Sequence, residues 1–177
     1  PRLMLINFKN ALFKKFRGIK KNHDNDFSPS KLPMATSLDK DAIREAYEDV
    51  RSDLTDTEWA VFKFDGPQIV CSAKGTCFDE FKDQFTDNER AFGYIRIQMG
   101  DEMSKRKKFL FLTWIGPDVG VIQRAKMSTD KAIIKDVLNN FAVELQAGSE
   151  ADLDIEMFRD ALNRAGGANY GTGVRDF

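Results

Sequence analysis

The chain has 177 residues, 42% of them hydrophobic, and a formal net charge of −1. That suits one globular domain with a sizeable core, and the near-neutral charge argues against a general nucleic-acid binder, which is more often basic throughout. Two cysteines, Cys71 and Cys77, and a single histidine, His23, exclude a zinc framework, a disulfide-dense scaffold and any His-based triad or His-ligated metal in the body of the chain.

Charge is unevenly spread. Residues 1 to 33 hold eight Lys or Arg against two Asp, while the remainder holds 19 cations against 26 acids. Leu5, Phe8, Leu12, Phe16 and Ile19 recur at helical spacing among Lys14, Lys15, Arg17, Lys20 and Lys21. This leader reads either as a membrane-surface helix or transit-type address, or as a disordered or non-native upstream segment; the second reading is preferred. The polar run HDNDFSPSKLP links it to the body, with Met34 a candidate initiator of a shorter protein.

The body starts with a helix over 40–50, capped by Asp39, its apolar positions Ile43, Ala46, Tyr47 and Val50. EWAVFKF (58–64) reads as a strand, Asp65-Gly66-Pro67 as a turn and QIVCSA (68–73) as the returning arm of a hairpin. A short helix is expected over 77–85, with Phe78, Phe81 and Phe85 on one face, then a strand over 90–99. KFLFLTWI (108–115) is apolar at nearly every position, so both of its faces must be covered and it lies centrally in a sheet. A helix is expected from Ser128 to about Phe141, a short strand over 143–146 and a last helix over 152–164, stopped by Gly166-Gly167 in the manner of a C-cap. The tail from 166 to 177 reads as flexible. The order αββαββαβα implies an α/β fold: a three-layer sandwich with a central mixed sheet of five or six strands between helices. No stretch approaches 18 uninterrupted apolar residues, so no membrane span is expected for the domain.

Two basic clusters stand out. SKRKK places Lys105, Arg106, Lys107 and Lys108 against the start of the central strand. Such a run is ordinarily a solvated loop, but a rigid strand behind it fixes where the charges point and lets them steer an acidic partner. QRAKMSTDK places Arg124, Lys126 and Met127 at the start of a helix, where cations oppose the macrodipole and so suggest service to a partner. GGANYGTG follows a helix and lacks a phosphate-loop lysine, and the carboxylates of SEADLDIEMFRD fall on the wet face of an amphipathic helix; neither reads as a nucleotide or catalytic site. Trp59 and Trp114 read as core. No enzyme activity, cofactor or metal is expected.

The segments MATSLDKDAIREAYEDVRSD, GDEMSKRKKFLFLTWIG, QRAKMSTDKAIIKDVL and LNRAGGANY, in this order, resemble the coactosin branch of the actin-depolymerising factor homology family. The resemblance spans Met34 to Tyr170 and places the family domain at 34–165. It implies a mixed sheet between helices, and a cytoplasmic, cytoskeletal, monomeric protein that binds the sides of actin filaments and counters capping without severing or depolymerising. It further implies that Lys108 is the lysine on which filament binding most depends. Lys105, Arg106, Lys107, Arg124 and Lys126 would face acidic actin surface beside it, with Met127 as an apolar anchor and Arg159 and Arg164 of the last helix as weaker contacts. Lys108→Ala is then expected to abolish or strongly weaken binding without changing thermal stability. The alternative is a cofilin-like severing or depolymerising factor, but cofilins carry a longer segment with an aromatic residue where only Ser128, Thr129 and Asp130 separate Met127 from Lys131 here. Ser37 or Thr36 could correspond to the phosphorylated serine of the cofilin tail, a weaker parallel.

Overall fold

The chain alternates apolar and polar residues where strands are exposed on one face and runs apolar where both faces are covered, and the architecture follows from that contrast. The computed structural model describes residues 35–100 and 103–166, all within the unit Met34–Phe177. The basic leader, Met34, the loop positions 101–102 and the tail from 167 onward, including the expected role of Gly167, lie outside the described residues.

The elements are β1 (Ser37–Leu38), α1 (Lys40–Arg51), β2 (Trp59–Asp65), β3 (Gln68–Gly75), α2 (Phe78–Lys82), β4 (Arg90–Met99), β5 (Arg106–Ile115), α3 (Val121–Lys135), β6 (Val143–Ala147), a 3-10 turn at Glu150–Asp152 and α4 (Ile155–Ala165). They build a six-stranded mixed sheet in the order β1-β3-β2-β4-β5-β6. β2, β3, β4 and β5 pair antiparallel with their neighbours, while β1 joins β3 and β6 joins β5 in parallel. The expected α/β sandwich is therefore present, with the sheet at the larger of the two expected sizes.

Each face of the sheet has its own core. Ile43, Ala46 and Val50 of α1 and Met127 and Ile134 of α3 pack with Phe62, Phe92, Tyr94 and Phe111 on one face. Phe81 of α2 and Phe158 and Leu162 of α4 pack with Val61, Ile95, Leu110, Leu112 and Trp114 on the other. β5 supplies both cores from successive residues, the period-2 geometry of a strand buried on two sides. Trp59 and Trp114 are core residues, and each indole N–H finds a carbonyl: Cys77 O at 2.7 Å and Thr86 O at 2.8 Å.

Four boundaries differ from expectation for physical reasons. β1, only two residues long, gives no periodic signal; it is held by its parallel register Ser37↔Gln68 and Leu38↔Ile69. α2 ends at Lys82, short of Phe85, which packs edge-on against Phe81 from the following turn at a centroid distance of 4.9 Å. α3 begins at Val121 after the Gly120 N-cap and ends at Lys135, where it had been expected to run from Ser128 to Phe141. The apolar stripe continues past the helix because Val137 and Leu138 are buried in the turn after it and Phe141 stacks on Phe111 at 5.3 Å. α4 starts at Ile155, capped by Asp154, whose carboxylate accepts from Glu156 N at 2.7 Å, and the acidic residues before it form the separate 3-10 turn.

Candidate functional site

β5 begins at Arg106, not Lys108, so three of the four clustered cations are strand residues and only Lys105 precedes the strand. Alternation sends them to opposite faces. Lys107 reaches the α1 side, where its ammonium pairs with the Asp53 carboxylate just beyond α1 and holds that carboxyl below its ordinary range. Lys108 points to the α4 side and donates from Nζ to Leu162 O at 3.1 Å. Its ammonium thus sits at the carbonyl end of α4, where cations are favoured by the helix dipole. Arg106 and Lys105 are exposed, with no bonded partner among the described residues.

The last helix lies beside this end of the strand. Arg159 borders the same cleft as Ile97 and Gln98, which pair across β4–β5 with Lys108 and Lys107. Its Nη1 bonds Glu156 Oε1 at 2.6 Å, while its buried Nε has no partner among the described residues. Arg164, on the opposite flank of α4, borders a cleft with Leu145 of β6 and Met157, and its Nε donates to Asp160 O at 3.3 Å. The near end of β5 thus carries Lys105, Arg106, Lys107 and Lys108, α4 meets it through the Lys108–Leu162 bond, and Arg159 and Arg164 stand on opposite flanks of that helix in separate clefts.

Arg124 and Lys126 lie elsewhere. Arg124 Nη2 donates to Gly116 O at 3.0 Å and Pro117 O at 3.2 Å, at the far end of β5. A strand rise of ~3.3 Å per residue puts Ile115 about 23 Å from Lys108. Lys126 is half-buried, and Met127 is 2% exposed within the α1–α3 core. Met127 is thus no surface anchor: it stands on the inward face of α3 with Asp130 and Ile134, three and seven positions on, as helical periodicity requires. The apolar residues that do reach solvent here are Val121 and Ile122 in the first turn of α3. Lys131, the lysine beyond Met127, is committed to Glu144 Oε1 at 2.5 Å, and Lys135 binds the other oxygen of the same carboxylate at 2.7 Å. Burial pushes the Glu144 carboxyl up, but the two ammonium groups outweigh it and hold the group below its ordinary range.

Sequence reasoning missed Asp130. It is 1% exposed and accepts from Thr36 Oγ1 at 2.5 Å and from Arg90 Nη1, whose guanidinium lies 3.8 Å from the Phe64 ring centroid. The pair ties β1, β4 and α3 together, and Arg90 also donates to Gln123 O at 3.2 Å in the exposed first turns of α3. No sequence signal marks this, because Thr36 and Arg90 are distant in the chain and Asp130 falls in a polar run. Both cysteines are free, with Cys71 half-buried, burial raising its thiol pKa, and Cys77 exposed. Among the described residues no group of His, Cys, Asp and Glu is arranged to hold a metal, and no helix is long and apolar enough to cross a membrane.

A family profile described as cofilin/tropomyosin-type actin-binding protein matches residues 35–163. The chain belongs to that family. Within it, the chain is similar to the coactosins: it is 46% identical to the rat coactosin-like protein over 137 residues, which cover 77% of this chain and 96% of that one. Crystal structures of the human coactosin-like protein superpose with a TM-score of 0.71 at 42% identity, covering 73% of this chain and 99% of that chain. The solution structure of mouse coactosin, described as an actin filament binding protein, gives 0.66 at 45% identity over 77% of this chain and 96% of that one. In this coactosin-like fold the basic end of β5 meets the last helix at Lys108, and Arg124 at the start of α3 is bonded at the other end of the same strand.

Proposed function

We propose that this protein binds the sides of actin filaments as coactosins do and regulates filament dynamics there, countering capping without severing or depolymerising. The observation that carries the reading is the seating of Lys108. It is the half-buried cation of the basic run, its ammonium held in place by α4, with Arg106 and Lys107 beside it on the strand and Arg159 and Arg164 on the helix that holds it. A positioned ammonium has three donors, and one carbonyl uses one of them, leaving two for a carboxylate on the partner. The likeness to mouse coactosin supports the choice of filamentous actin as that partner. Such a protein would act in the cytoplasm on the cytoskeleton, as a monomer, with the family domain spanning 34–165.

The commitment of Lys131 to Glu144 and the burial of Met127 support a side-binding over a severing protein, since both residues belong to the helix segment that departs from the cofilin pattern. Co-sedimentation of the full chain with filamentous actin at low and moderate salt tests the binding. We expect the parent to pellet, salt to weaken it and Lys108→Ala to pellet far less, with weak residual binding at low salt; a parent that stays in solution at both salts refutes filament binding. Dilution of pyrene-labelled filaments tests the second half, with accelerated filament loss pointing instead to cofilin-like severing.

A further inference from the structure

Gly166 closes α4. Its N–H donates to Leu162 O and Asn163 O, each at 3.2 Å, and its backbone has φ −73° and ψ −2°. This is right-handed helical backbone, which any L-residue adopts, so the position does not need glycine for its conformation. What glycine leaves there is space for the end of the Lys108 side chain. A Cβ at Gly166 would stand 2.6 Å from Lys108 Nζ, well inside contact distance. The ammonium group occupies the volume a side chain would take, and it is held there by the Leu162 carbonyl.

We infer that Gly166 is a positioning residue for Lys108. With the Leu162 carbonyl it forms a seat at the negative end of α4 that points this lysine toward the filament. The inference rests on the proposal that Lys108 contacts filamentous actin. Its physical basis is pre-organisation: a lysine on a four-carbon stem loses rotamer freedom when a partner immobilises it, and a seat that has already fixed the stem removes part of that loss from the binding step. The sequence-level view of Gly166 as part of a C-cap offers no such role, because a cap concerns the backbone alone.

Gly166→Ala in the full chain tests the seat. Alanine suits the helical backbone and restricts the unfolded chain more than glycine, a gain that offsets the loss of the Lys108–Leu162 bond, so the melting temperature should stay within a few degrees of the parent's. The new methyl displaces only the far end of the Lys108 side chain. We expect filament affinity to fall roughly two- to tenfold, the range set by re-immobilising one long side chain. The same substitution should change nothing in a Lys108→Ala background, measured at low salt where residual binding is greatest. Parent-like binding by Gly166→Ala alongside weak binding by Lys108→Ala overturns the seat alone, as does a loss that persists undiminished without Lys108. Parent-like binding by Lys108→Ala overturns the filament contact itself, and the seat's role with it.

Discussion

Lys108 is both a surface charge and a helix cap, and its removal should be read in two assays. The bond to Leu162 O is of the kind whose net contribution is about 0.5–1.5 kcal/mol. Lys108→Ala is therefore expected to lose most filament pelleting and also to melt a few degrees below the parent, where the sequence alone led to an expectation of unchanged stability. An unchanged melting temperature would mean that the cap is strengthless in solution. Asp130 shows the opposite kind of residue, invisible in the sequence and decisive in the core. Asp130→Ala leaves the guanidinium of Arg90, its side chain only 11% exposed, without its acid. Breaking one side of such a pair costs about 3–5 kcal/mol. Urea unfolding should show a loss of unfolding free energy of that size, and a loss under ~1 kcal/mol would show that water replaces the carboxylate freely. The sequence revealed the exposed cations because they are clustered; Asp130 was hidden because burial depends on residues brought together by the fold.

At the level of elements, legibility tracked how far a pattern is set by one segment alone. β5 could be read from its unbroken apolar run, and α1 from Asp39 and its periodic stripe, since the cap and the periodicity are both local. The ends of α3 could not be read so. Val137, Leu138 and Phe141 keep the helical spacing while lying in the turn and irregular segment beyond the helix, and Val121 and Ile122 break the amphipathic pattern by facing solvent. α3 is further tied to the sheet through Glu144 of β6, which binds Lys131 and Lys135 together. The pH dependence of that tie has a definite sign. The folded-state pKa of Glu144 is lowered, so its stabilisation is complete above the ordinary glutamate value of about 4.3 and is lost as pH falls through the lower folded value. The melting-temperature gap between parent and Glu144→Gln should be widest above pH ~5 and narrow as the pH falls below the ordinary glutamate range. A gap that stays constant down to the acid limit would show that the ammonium groups do not depress the carboxyl.

Across the whole molecule, the net charge of −1 says little about binding, because the two basic surfaces lie at opposite ends of β5, about 23 Å apart at the strand rise. At physiological salt the Debye length is ~8 Å, so each surface meets a partner with its own field rather than as part of one stripe. Independent contacts this far apart should show additive free energies. The two ends are not equally equipped, however. At the Lys108 end Arg106 and Lys105 have no bonded partner among the described residues, whereas at the other end Arg124 already serves two carbonyls and Met127 is buried. What remains there is Lys126 with the exposed pair Val121 and Ile122. Lys108→Ala is thus expected to weaken co-sedimentation more than the double substitution Arg124→Ala with Lys126→Ala, and the three together to lose the sum within about 0.5 kcal/mol. If the Arg124 and Lys126 substitutions cost as much as Lys108→Ala, the start of α3 is a principal contact and the side-binding geometry centred on β5 is wrong. If they cost nothing, the filament touches the molecule only at the Lys108 end, and the exposed apolar pair on α3 must serve a different surface.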